Sequence, residues 1–191
     1  QAGLAEALMS LAQIAQKLGQ LDRANQWLSQ MPAGADPIKL ASRQADLLAQ
    51  QGRLDEARRV LAQVKPANAE QAQRKILAQS QWLREHREIQ AAYTLVRAAL
   101  DKKSDDTELL SELSLVCEKL KRFDEMELLL RQLMAKAPED AHAFNALGYS
   151  LADRNIRLDE ARQLIEKAVQ LSPQDAYIQD SLAWVIFRQG Q

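Results

Sequence analysis

Apolar positions recur along this chain at helical spacing, and the pattern then repeats in blocks. In Ala143–Pro173 (AFNALGYSLADRNIRLDEARQLIEKAVQLSP), Leu147, Gly148 and Leu151 share one helical face, and Ala161, Ile165 and Ala168 share another. Spacing of i, i+3, i+4 and i+7 marks an amphipathic helix. The segment therefore predicts two helices joined by a turn and closed at Pro173. With a small residue of the first helix set as position 8, blocks start at Ala5, Ile38, Gln73, Thr107, Ala141 and Ala176, at spacings of 33, 35, 34, 34 and 35. Position 8 is Ala12, Ala45, Ser80, Ser114, Gly148 and Ala183, always small enough for two helices to approach closely. Position 17 is Leu21, Leu54, Ile89, Phe123 and Leu158, always apolar. Position 20 is Ala24, Ala57, Ala92, Met126 and Ala161. No strand-like alternation persists. The pattern predicts an all-α chain of eleven helices, one array over residues 1–191, with the last block reduced to its first helix.

Turn residues fit the same register. Gly19 and Gly52 fall at position 15, where a left-handed residue ends the first helix. Asp22, Asp55, Asp124 and Asp159 fall at position 18 and are expected to cap the second helix. Pro138 and Pro173 separate blocks. Blocks one and two predict short second helices ending near Pro32 and Pro66. Block three is weakly patterned, with Gln79 at an inward position and Ser104 where a closing proline would stand. Block five carries one extra turn residue within Arg154–Arg157.

Composition narrows the function classes. Hydrophobic residues make up 47% and charged residues 27%, values of a globular chain. A formal net charge of −1 and the lack of a basic stripe argue against a nucleic-acid partner. No apolar run approaches the roughly 18 residues of a membrane span, so a membrane link would come only through an anchor outside this sequence. The chain opens on Gln1 rather than Met, and the expectation is a fragment or processed form. His86 and His142 have no ligand partners at metal-binding spacing, and Cys117 sits at a core position. No phosphate loop or nucleophile elbow occurs. No catalytic residue, metal or cofactor is therefore expected.

On these residues the chain resembles the tetratricopeptide repeat (TPR) family, whose unit has 34 residues. The resemblance covers about 185 of the 191 residues. It implies a right-handed superhelical solenoid of antiparallel helix pairs, about five and a half repeats long. First helices would line a concave groove that binds a protein or peptide. A narrower resemblance rests on QMPAGADP, on ADLLAQQGRLDEAR and on the stretch from NALGYSLADRN to WVIFRQGQ. These are similar to segments of proteobacterial outer-membrane TPR lipoproteins that serve as adaptors for a periplasmic C-terminal processing protease. That resemblance implies a place at the periplasmic face of the outer membrane, with the protease and its substrates as partners. A purely structural or self-associating repeat module, an accessory domain of a larger enzyme, and a cytoplasmic location stay open.

The family's inward positions, carried over by register, select two sets. Lys39, Arg43 and Arg74 would form a basic patch suited to a carboxylate, or would be ordinary solvated charges. No asparagine stands at positions 6 or 9, so a carboxylate clamp of the type some members use is not expected. Asn145, Tyr149, Tyr177, Asp180 and Trp184 form the second set. Its aromatics are rigid and amphipathic, as binding anchors are, or they pack against a neighbouring helix. Trp27 and Trp82 are expected to pack on the outer side. Leu182, Val185, Ile186 and Phe187 predict an uncovered apolar face, met by a continuation of the chain or by another subunit.

Overall fold

The computed structural model describes residues 2–190. Eleven helices follow one another: α1 (Ala2–Lys17), α2 (Leu21–Ser29), α3 (Pro37–Gln50), α4 (Leu54–Gln63), α5 (Ala69–Glu85), α6 (Ile89–Leu100), α7 (Thr107–Lys119), α8 (Phe123–Lys136), α9 (Ala141–Asp153), α10 (Leu158–Leu171) and α11 (Ala176–Arg188). The architecture is the expected all-α, paired-helix solenoid. Contacts divide the chain into two compact units between Ala92 and Tyr93, inside α6.

In the first unit α1 packs on α2 and α3 on α4, and α3 also touches α1 and α5. The position-8 and position-20 alanines Ala12, Ala24, Ala45 and Ala57 are fully buried, so their small size sets the helix separation. Leu28 and Leu47 complete one cluster with Ala12 and Ala24. Burying each such leucine stabilises the fold by about 1.5–3 kcal/mol. Trp82 corrects its expected outer placement. It is buried with Ala41, Ala45, Ala57 and Leu61, and fills the space that these small side chains leave. Its ring stacks on His86, with centroids 4.0 Å apart. Trp27 is half-buried against the cluster around Ala12.

In the second unit α7 packs on α8 and α9 on α10, while α11 touches both α9 and α10. Leu113, Cys117, Leu147, Leu151, Ile165 and Ile178 are fully buried. Burial, then the nearby Glu125 carboxylate, pushes the Cys117 thiol up to about 12, so it stays an inert core thiol. Gly148 is the closest approach: a Cβ there would stand 2.9 Å from the Ala161 carbonyl oxygen and 2.6 Å from Ile165 Cγ1. Only glycine lets α9 and α10 meet at this distance.

One turn geometry recurs between helices. The N–H at position 16 donates to the carbonyl at position 11 five times: Gln20 to Ala15, Arg53 to Leu48, Glu88 to Leu83, Arg122 to Cys117 and Ile156 to Leu151. This is the Schellman closure, which needs a left-handed residue between. Gly19 and Gly52 supply it as expected, with φ of 73° and 78°. Arg87, Lys121 and Asn155 supply it without glycine, at φ of 63°, 58° and 56°. The extra residue of the fifth block is a second left-handed position, Arg157 at φ 47°. Its guanidinium is held by Glu127 and by Glu160 at 3.3 Å.

The position-18 aspartates do not cap. The N-cap residues of α2, α4, α8 and α10 are Gln20, Arg53, Arg122 and Arg157, none of which makes a side-chain cap bond. Asp22, Asp55, Asp124 and Asp159 lie inside the first turn, where their charge meets the helix dipole. The side-chain caps belong to the first helices instead. Asp36, Asn68, Asp106, Asp140 and Asp175 accept from backbone N–H groups of α3, α5, α7, α9 and α11. Asn68 caps α5, which begins at Ala69, four residues before the Gln73 block boundary, so the third block's helix starts ahead of its register. The short α2 and α4 match the pattern before Pro32 and Pro66.

Candidate functional site

The first candidate set lies on α3 and α5 of the first unit. The structure ties its two arginines to local partners. Arg74 is paired with Asp36, the same carboxylate that caps α3. Burial works against the Asp36 charge, but Arg74 and the N–H groups of Lys39 and Ile38 together bring its carboxyl below its ordinary value. Arg43 donates to Gln16 Oε1 at 3.3 Å and stands 3.7 Å from Asp46. Burial pushes the Asp46 carboxyl up despite Arg43. Lys39 is exposed. A ligand carboxylate would have to displace protein carboxylates from both arginines, so this set is a framework of internal ion pairs more than an open cation patch.

The second set lies on α9 and α11 of the second unit. Asp140 and Asp175 cap these helices through two N–H bonds each, which fixes where their first turns begin. Asn145 and Tyr149 are four apart and share a face of α9; Asp180 and Trp184 do the same on α11. The helices touch. Tyr149, Asp180, Ala183, Trp184 and Phe187 then line an open hollow of about 430 Å³. Tyr149 is 40% exposed and Phe187 65%. Trp184 and Phe187 stack, with ring centroids 5.6 Å apart. Arg188 lies 5.4 Å from the Trp184 ring and donates to the carbonyls of Ala152 and Asp153 at 3.2 Å each.

The structure thus brings together three of the five selected residues: Tyr149, Asp180 and Trp184. Tyr177, 84% exposed, and Asn145 do not line the hollow. Two buried polar atoms on this pair of helices, Asn145 Oδ1 and Trp184 Nε1, have no hydrogen-bond partner. Unmet buried groups of this kind are uncommon in folded proteins. Ala183 and Phe187 are lining residues that sequence reading assigned to other roles. Ala183 follows the small-residue rule of position 8, yet it is exposed and forms part of the floor. The uncovered apolar face is also smaller than expected. Val185 is fully buried within the second unit and Leu182 and Ile186 are half-buried, so Phe187 alone is strongly exposed.

A second hollow of about 410 Å³ lies at the α7–α8 turn, between Lys121, Arg122, Phe123, Glu125 and Arg154. Its arginines are already engaged. Arg122 pairs with Glu125 and lies over the Tyr93 ring, and Arg154 donates to the Ser150 carbonyl and covers Phe123. His86 bonds the Trp82 carbonyl at 2.8 Å, and His142 is exposed 3.9 Å from Asp175. Among the described residues no group of three or more His, Cys, Asp or Glu could hold a metal ion. No described helix is long and apolar enough to cross a membrane.

Comparison with known proteins agrees with this geometry. Residues 127–176 match a family model described as tetratricopeptide repeat. A TPR repeat-containing protein of Pseudomonas aeruginosa is 35% identical over 185 residues, which cover 97% of this chain and 31% of that protein. Among solved structures, MamA from Desulfovibrio magneticus RS-1 superposes with a TM-score of 0.61 at 22% identity, over 83% of this chain and 88% of that one. YrrB, described as a TPR protein with an unusual peptide-binding site, superposes at 0.58 and 15% identity, over 93% and 91%. At these identities the superpositions speak to fold alone. Repeat register, recurring turns and these matches agree on a tetratricopeptide-repeat architecture, with residues 127–176 matching the family itself.

Proposed function

We propose that this chain is a non-catalytic binding scaffold that holds an extended segment of a partner protein against the α9–α11 face. The observation that carries this reading is the aromatic-walled hollow between Tyr149 and Trp184. Large aromatics left beside a cavity supply binding area at small entropic cost. Support comes from YrrB, a protein of the same fold with a peptide-binding site. The finer reading makes the chain part of a bacterial envelope lipoprotein that brings a periplasmic protease and its substrates together. Effective concentration would then do the work, without new chemistry. The sequence stretches similar to such lipoproteins motivate it; the chain spans 31% of the length of its Pseudomonas relative.

The test is capture from a bacterial envelope extract with the wild-type chain and a Tyr149→Ala/Tyr177→Ala variant. The scaffold reading expects a protein captured by the wild type and lost by the variant at unchanged melting temperature. Recovery of a protease or its substrates supports the adaptor role; recovery of cytosolic assembly factors alone removes it. The exposed position-8 residue Ala183 favours a second reading, a module whose α11 face packs against another helix. In that case the two substitutions lower stability and leave capture unchanged.

A further inference from the structure

The chemistry around the α9–α11 hollow is selective. Three of its five lining residues are aromatic, and their π faces are electron-rich. The only charged lining residue is Asp180. It is exposed and has no hydrogen-bond or ion-pair partner among the described residues. The Asp153 side chain, at the C-terminal end of α9, is likewise exposed and without a partner. Arg188 lies 5.4 Å from the Trp184 ring and directs its guanidinium N–H groups to the α9 carbonyls of Ala152 and Asp153. The hollow therefore offers the Tyr149 and Phe187 rings and an unpaired carboxylate, while Arg188 keeps its positive charge beside Trp184 with its N–H groups turned to the α9 carbonyls.

Resting on the groove reading above and naming the chemistry it would accept, we infer that this hollow is a subsite for a basic side chain, arginine or lysine, of an extended partner peptide. A planar guanidinium stacks on aromatic faces and forks onto a carboxylate at once. A carboxylate ligand would meet Asp180 directly and be repelled. An aliphatic side chain could fill the space but would leave Asp180 without a partner.

The probes are three fluorescein-labelled peptides, otherwise of Gly, Ser and Leu, with a central Arg, Gln or Glu. Fluorescence anisotropy is measured on the intact chain at low and at physiological salt. The expected result is that the Arg peptide binds roughly tenfold more tightly than the Gln peptide, as a charge-assisted contact commands. The Glu peptide binds weakest, and added salt narrows the gap. Asp180→Asn, at an exposed position, removes the Arg preference while the melting temperature holds. Equal affinity for Arg and Gln peptides, or a preference that survives Asp180→Asn, overturns the basic subsite and leaves groove binding standing. No binding of any peptide also overturns the subsite, and the envelope capture then decides separately whether the groove reading survives. Dimerisation of the isolated chain that Asp180→Asn abolishes assigns the hollow to a second copy and overturns the peptide.

Discussion

The two units, described residues up to Ala92 and from Tyr93 onward, carry the same inward register on the same kind of helix but treat their charged groups at that register differently. In the first, Arg43 and Arg74 are engaged by Gln16, Asp46 and Asp36. In the second, Asp180 has no partner among the described residues; buried polar atoms without a partner occur in both, Arg43 Nε and Trp82 Nε1 in the first and Asn145 Oδ1 and Trp184 Nε1 in the second. Register alone places a residue near a groove; it does not say whether the residue is available there. Availability depends on partners supplied from other blocks, tens of residues away in sequence.

The core contrast gives the largest expected effect. Position 8 holds alanine in α3 but must be glycine in α9, because the Ala161 carbonyl oxygen leaves no room for a Cβ. Gly148→Ala should destabilise the chain by about 2–3 kcal/mol through overpacking against backbone that cannot move aside. Urea unfolding followed by circular dichroism measures it, and a loss near zero would show that α9 and α10 can separate freely.

Next in size is the ion-pair network of the second unit. Glu127 accepts from Arg157 and Arg131, and Glu160 pairs with both arginines. The Arg157 hydrogen bond outweighs burial and, with Arg131 added, holds the Glu127 carboxyl down to about 2. A carboxyl depressed in the folded state stabilises above its unfolded pKa, and that contribution is lost as pH falls through the folded one. The stabilisation should therefore be full above about pH 4.5 and fade towards pH 2. Arg157→Ala should cost about 1 kcal/mol at pH 7 and flatten that acid limb in melts run at several pH values.

Smaller still is the turn contrast. The first unit closes two Schellman turns with glycine, whereas Lys121 holds the same place in the second at φ 58°. Lys121→Gly should stabilise by up to about 1 kcal/mol by relieving left-handed strain, less the entropy that glycine adds to the unfolded chain. Smallest is Arg74→Ala. Its solvent-screened pair with Asp36 should contribute little to stability, and its loss should leave partner capture by the α9–α11 face unchanged. Capture that depends on Arg74 would put the basic set back in play.

Helix number, order and block length were legible because small and apolar residues recur at fixed positions. The left-handed turns were legible only where glycine marked them. Arg87 and Lys121 carry no local signal, and their geometry follows from the helices that flank them. The caps were misplaced because aspartate serves two ends: inside the first turn at position 18 it meets the dipole, and one or two residues before a block it accepts N–H bonds. The recurrence of Asp36, Asp106, Asp140 and Asp175 ahead of first helices was a readable sign of this. Trp82 was misassigned because its burial depends on Ala41 and Ala45 of another block. Tyr149 and Trp184 were legible as a pair by register. The paired state of Arg43 and Arg74 was not, since Gln16 and Asp36 lie 27 and 38 residues from them.

Asp36 does two jobs at once, accepting from the first-turn amides of α3 and holding Arg74 of α5. The opening turn of one repeat is thereby latched by a side chain of the next. Repeat arrays take their cooperativity from nearest-neighbour terms, and this latch is one such term at atomic scale. Hydrogen exchange at the Ile38 and Lys39 amides should then report on whether α5 is docked, making two backbone protons a gauge of how far order propagates along the first unit.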